Sequence, residues 1–530
     1  MNSSDALSTK TRAAEWRSAG IKVGAVAAVL AGLLALYSHE VRVESQVKEL
    51  IAGTPGPQGA RVGGARAALA KDTPGGWLTA EAGLQKALEL QPSNPYALSA
   101  MAVTQQLLAL DGFADRVALA EAASSRVEAK DVQLPERHQA RALGLLRTGR
   151  GVDAENYLLP VVEKYPGYWE LLDALGLAQR ASGKLDEAKR SLRRAMEAGW
   201  RNPRAVSDYA FVVLEEGSAA EASLAFDRAL QASSGHLRSF VGKARAMTAL
   251  YAAGKTVDLK AARKWTEDVL SQPPSELSPA LRALALGSRS EVKLLEKDLP
   301  GAMADAEGAL KAFPNHPAGL RARALAMAAD PKRQDEAFAA FKEALARDPY
   351  DVSIYFDGSA SLASVGLSGQ AEKLLGAYAA LHPMGARYQL SLARLRLGKD
   401  DLKGAGLALQ AAEKDTDPAA APLKATVFFE QGRLAQLQKD PEGARKAYER
   451  ALSMRDDYPE VYRQMGAIYL DGKNVDEALS SYVEALRRYK AARVPEAQLE
   501  PFYQEVHERL LRAREKKKAE AWLKEARALH

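Results

Sequence analysis

Gly176 is followed by Ala188, Leu192 and Ala195 at twelve, sixteen and nineteen positions, and the same series returns along the chain. Ala210 is followed by Ala222, Phe226 and Ala229, Gly432 by Ala444, Tyr448 and Ala451, and Gly466 by Ala478, Tyr482 and Ala485, so the starting residue recurs with a period of 34. Residues four and one before it and three after it, such as Leu172, Leu175 and Gln179 or Tyr462, Met465 and Tyr469, share one helix face. The unit therefore reads as two helices of about 14 residues that cross at small side chains, which lets their axes approach to about 8–10 Å. A turn is expected near Gly183, Gly217 or Gly472. Pro92, Pro166, Pro314, Pro349 and Pro383 each fall twelve after a second-helix alanine, where proline stops the helix. In such an array the 530 residues count units and not separate domains.

This spacing resembles the tetratricopeptide repeat, whose pattern places Trp or Leu, Gly, Tyr, Ala, Phe, Ala and Pro at these offsets. Second-helix alanines at Ala80, Ala154, Ala188, Ala222, Ala262, Ala302, Ala337, Ala371, Ala405, Ala444 and Ala478, with a weaker one at Ala118, mark about twelve units over residues 61–490. The resemblance implies an all-α, right-handed superhelical solenoid of helix-turn-helix repeats. Around residues 245–290 the stretch KTVDLKAARKWTEDVLSQPPS predicts a lengthened second helix with Trp265 in its bulky slot. Residues 491–530 read as capping helices, with Phe502, Val506, Leu510, Trp522 and Leu523 on one side and the basic REKKK run on the other.

Ahead of the repeats, AGIKVGAVAAVLAGLLALYS at residues 19–38 carries one charge, Lys22, and at 1.5 Å per residue spans about 30 Å. Lys10, Arg12, Arg17 and Lys22 precede or open it, against Arg42 and Lys48 after it, which places the N-terminus inside. The sequence thus predicts a cytoplasmic tail at 1–18, a single transmembrane signal anchor at 19–38, a linker at 39–60, and a solenoid in the periplasm of a bacterium. A cleaved signal, leaving a soluble periplasmic protein, is the alternative, although ALYSHE lacks a small-x-small cleavage pattern.

A net charge of +6 is small for this length and implies no nucleic-acid partner. With no cysteine, thiolate metal sites and cysteine nucleophiles are excluded. The histidines at 39, 138, 236, 316, 382, 507 and 530 form no ligand spacing, and ALYAAGKT lacks the first glycine of a phosphate loop. The DEA triplets put carboxylates in the first turn of second helices, where they complement the helix dipole. No enzyme activity, cofactor, metal or small-molecule substrate is expected; a helical wall-lytic enzyme is the remote alternative.

Function then has to come from surface, and the resemblance implies a protein or peptide ligand in the concave groove formed by the first helices. Positions three before, one after and four after the starting residue face it, and they include Arg180, Phe211, Arg245, Phe356, Arg433 and Arg463. Solvated or locally packed side chains are the plain alternative. The family's carboxylate clamp is not matched, because Asp173 and Leu177 stand where its Lys and Asn belong. The predicted function is a non-enzymatic scaffold anchored in the bacterial inner membrane that assembles an envelope complex for secretion, pili, motility or wall synthesis. A periplasmic chaperone or escort for client proteins is the alternative.

Overall fold

The structure is a computed structural model that describes residues 64–528, apart from 66–67, 91, 131–133, 253–256, 382–383, 417–420, 422, 492–493 and 495. Among the described residues every regular element is a helix. The helices alternate as pairs, for example Trp169–Ala181 with Leu185–Ala198, Pro203–Glu216 with Ala219–Ala232, and Pro459–Asp471 with Val475–Ala491. From Pro95–Leu110 to Lys424–Leu437 each first helix also packs on the first helix of the next pair, and the pairs stack into an all-α solenoid of tetratricopeptide type.

Local chemistry sets the helix ends. Proline opens the first helices at Pro95, Pro135, Pro203, Pro279, Pro317 and Pro459, where its missing N–H costs nothing. Asn94, Asn202 and Ser278 cap three of them by accepting backbone N–H bonds. Asp186 and Glu187, like Asp476 and Glu477, sit in the first turn of their second helices. Gly183 and Gly217 turn the chain with φ of +79° and +99°, whereas beyond Gly472 the left-handed residue is Lys473.

The offset of sixteen has a direct packing cause. A Cβ on Gly176 would lie 2.4 Å from Cγ of Leu192, one on Gly432 2.3 Å from Cε1 of Tyr448, and one on Gly466 2.7 Å from Cδ1 of Tyr482. The bulky residue of the second helix lies on the bare backbone of the first, and Ala188, Ala195, Ala478 and Ala485 beside it are fully buried. At the far end Glu496–Arg512 and Lys516–Ala528 form one more pair, in which Phe502 and Trp522 close over Tyr482.

Two expectations are corrected. The second helix near Trp265 is not lengthened: Leu259–Leu270 has 12 residues, while the flanking first helices, Leu237–Ala252 and Pro279–Leu295, have 16 and 17. Trp265 packs on Phe240, with ring centroids 4.7 Å apart. The expected transmembrane helix does not enter the fold class. Residues 19–38 lie outside the described residues, and among the described residues no helix is long and apolar enough to cross a membrane. The longest, such as Val475–Ala491, have 17 residues and carry charges on one face, short of the roughly 20 apolar residues a crossing needs.

Ala188→Leu should overpack the helix crossing and cost about 1–3 kcal/mol. Leu224, which is 65% exposed, should tolerate replacement by Ala within about 0.5 kcal/mol. Thermal unfolding followed by circular dichroism separates the two; equal midpoints would contradict the packing phase.

Candidate functional site

The concave side of the solenoid is not a continuous open groove. The turn at the end of a first helix rests on the start of the first helix five units later, at separations near five times 34 residues. Asp72 accepts a hydrogen bond from Nε2 of His236 at 3.1 Å, 164 residues on. The Ala280 N–H donates to the Asp111 carbonyl at 3.1 Å. Arg180 donates to Asp348 at 2.7 Å, 168 residues on, and Arg387 donates to the carbonyls of Glu215 and Glu216, both at 3.0 Å. Gly183 and Gly217 admit this approach, since a Cβ on Gly183 would stand 2.5 Å from the Tyr350 ring and one on Gly217 3.1 Å from Cζ of Arg387. These rungs form a seam that turns the inner face of the first ten units into an enclosed wall.

Most charged side chains on that wall are buried and paired, as burial of a charge demands. Arg180 forks onto Glu215 at 3.1 and 2.6 Å as well as reaching Asp348. Burial opposes its charge, but the Glu215 and Asp348 carboxylates hold the proton well above the usual arginine range. Arg321, almost fully buried, bonds Glu291 and Ser353. Near the N-terminal rung Arg204 lies 3.4 Å from Asp72, 3.5 Å from Asp173 and 3.6 Å from Asp208. Burial alone would raise Asp72; the Arg204 guanidinium and the His236 hydrogen bond outweigh it and hold its carboxyl down to about 2. Asp111 has weaker compensation from Ser278 and Arg238, so burial pushes it up to about 6. Asp173 is raised by burial and by neighbouring Asp208.

The residues expected to face a groove fall into different settings. Arg180 is committed to the seam. Phe356 is buried, with Arg387 over its ring at 4.2 Å. Phe211 is half-buried against Phe226, ring centroids 5.0 Å apart, under the Arg238 guanidinium. Arg245 lines the same wall half-buried and makes no hydrogen bond among the described residues; burial and the nearby Arg321 charge lower its proton affinity. Arg433 and Arg463 lie beyond the seam, 46% and 37% exposed against 23% for Arg180.

Beyond the seam cations outnumber their partners. Glu430, 2% exposed, is shared by Arg433 at 2.8 Å and Arg394 at 2.8 Å, and Glu505 is shared by Arg463 and Arg509. Four guanidinium groups thus face two carboxylates, which leaves positive charge on an accessible strip. Arg394 stands one after Ala393, so the positional rule that picked Arg433 picks it too. Arg509 lies in the terminal pair, outside the repeats that the rule addressed.

The tetratricopeptide repeat family model matches residues 174–236 and 429–493, two stretches that together make up less than half of the chain. No curated protein matches the sequence. Among solved structures, the chain is similar to the hetero-tetramer Cut9–Hcn1 of the APC/C at 14% identity, covering 89% of this chain and 96% of that one with a TM-score of 0.36. Yeast Tom70 is similar at 15% identity over 74% of this chain and 91% of that one, TM-score 0.40, and MamA at 20% over 38% and 95%, TM-score 0.23. None superimposes closely enough to carry an argument about function.

The chain has no cysteine, and among the described residues no group of acidic or histidine side chains is placed to hold a metal ion. The fold is an all-α solenoid of tetratricopeptide type. The readings that depended on a membrane anchor are corrected. With no membrane-crossing helix among the described residues, the lipid bilayer as a partner, the inner-membrane placement and the assembly of an envelope complex have no structural support.

The raised Asp111 gives a pH test. Its folded carboxyl holds a proton up to about 6 against 3.8 ordinarily, so its ionised form penalises the fold above pH 6, and the penalty fades as pH falls toward 4. Asp111→Asn should stabilise the protein by about 1–2 kcal/mol at pH 7.5 and by little at pH 4. Urea unfolding at the two pH values checks this; an equal effect at both would contradict it.

Proposed function

We propose that the protein is a non-enzymatic escort or scaffold that holds a protein partner on the first-helix strip of its C-terminal units. The observation that carries this reading is the surplus of exposed guanidinium groups, Arg394, Arg433 and Arg463, on the part of the concave face that the seam leaves open. Arginine forks carboxylates and carbonyls in two directions at once, and it is enriched where binding energy concentrates. Partner segments rich in Asp or Glu fit such a strip. Phe429, half-buried and 5.1 Å from the Tyr458 ring, offers an apolar anchor beside it. Because no membrane anchor enters the argument, the escort reading is favoured over a fixed envelope scaffold.

Arg433→Gln with Arg463→Gln tests the proposal without unfolding the site, because Arg394 stays on Glu430 and Arg509 stays on Glu505. The double variant should lose about tenfold or more in affinity for the partner captured by photo-crosslinking next to Arg433, roughly 1.4 kcal/mol or more. Arg180→Met should instead lower the melting point with little change in capture. The reverse pattern would move the binding face to the enclosed wall.

A further inference from the structure

The first helices Ala386–Leu397 and Lys424–Leu437 are joined by a buried carboxylate. Glu430, 2% exposed, accepts at Oε1 from Nε of Arg394 on the earlier helix and at Oε2 from Nη1 of Arg433 on its own helix, both at 2.8 Å. Each oxygen serves a different cation. The two arginine side chains are 48% and 46% exposed, so a partner reaches them while the group that holds them stays inside. The arrangement recurs nearer the C-terminus, where Glu505 accepts at Oε1 from Nε of Arg509 at 3.1 Å and at Oε2 from Nη2 of Arg463 on an earlier helix.

The donors left over indicate what this does. A guanidinium group has five N–H donors in a planar fork. Arg394 spends its Nε–H on Glu430 and Arg433 spends one at Nη1, and neither group makes another hydrogen bond among the described residues. Each keeps a two-donor edge, Nη1 with Nη2 on Arg394 and Nε with Nη2 on Arg433, the geometry that takes a carboxylate in two parallel bonds. A free arginine loses rotamer freedom when it binds; these two have given up part of theirs to Glu430 already.

We propose that Glu430 is a positioning residue of the binding strip: it aligns Arg394 and Arg433 as one unit, which takes neighbouring carboxylates of an acidic partner segment together. This rests on the strip reading above and assigns the unit that does the recognising. The role has a signature that charge alone would not give. Glu430→Gln adds one positive charge to the strip, so on charge alone an acidic ligand would bind more tightly. Positioning gives the opposite sign, because the new carboxamide accepts from one guanidinium and turns an N–H toward the other.

Binding of a labelled hexaglutamate peptide to the full-length protein is followed by fluorescence anisotropy, with hexaglutamine as the control. The wild type should bind hexaglutamate and not hexaglutamine, and Glu430→Gln should weaken that binding about threefold or more with helicity retained by circular dichroism. Equal or tighter binding by the folded variant overturns the positioning role. If Glu430→Gln unfolds, Arg394→Gln and Arg433→Gln decide: each alone should lose nearly as much as the two together, whereas losses that add overturn the role. Failure of the strip itself looks different. If the wild type ignores hexaglutamate, or if Arg433→Gln with Arg463→Gln binds it as the wild type does, the strip and the role of Glu430 fall together; loss in that double variant beside undiminished binding by Glu430→Gln removes the role alone.

Discussion

The contact between Arg180 and the two carboxylates of Glu215 and Asp348 joins parts of the chain that the repeat alone would leave apart. In a solenoid each unit touches its neighbours, and stability is close to a sum of neighbour terms. A rung that spans five units breaks that rule, because it makes the pitch of the superhelix part of the packing. The buried pair is costly to desolvate and costly to break, so its main effect is to specify one pitch among many that the helix crossings would allow. The neighbouring rungs at Asp72, Asp111 and Arg387 act in the same sense.

The division of the surface follows from where these rungs end. Over the first ten units the first helices point their polar residues at one another, and Asp173, Asp208, Arg321 and Asp351 are buried. After Arg387 no rung occurs among the described residues, and the guanidinium groups of Arg394, Arg433 and Arg463 are accessible. One chain thereby carries an internally paired wall over its first ten units and accessible guanidinium groups beyond them.

The helix pairs were legible in the sequence because their causes are local. Gly176 and Leu192, or Gly466 and Tyr482, meet at a fixed offset of sixteen, so the pattern repeats wherever the packing does. The seam was not legible. Arg180 sits where a groove residue should, but what it faces depends on the pitch, and no local spacing encodes Asp348 at 168 residues' distance. Placement on the inner face was therefore readable for Arg180 and Phe356, while their commitment to internal contacts was not. Arg433 and Arg463 stayed exposed because the seam stops before them. The irregular unit around Trp265 misled for a related reason: its extra residues lengthen the first helices, which contact more neighbours than the second ones do.

The central claim is that turns five units apart are in contact. Because the chain has no cysteine, thiols introduced by Ala220→Cys and Met384→Cys, two exposed positions beside the rung at Gly217 and Arg387, can be spin-labelled cleanly. Pulsed electron resonance on the full-length protein should give a single narrow distribution at the short end of the measurable range, broadened by Arg387→Met. A broad, long-distance distribution in the unmodified background, with full helicity retained, would show an open solenoid and contradict the seam.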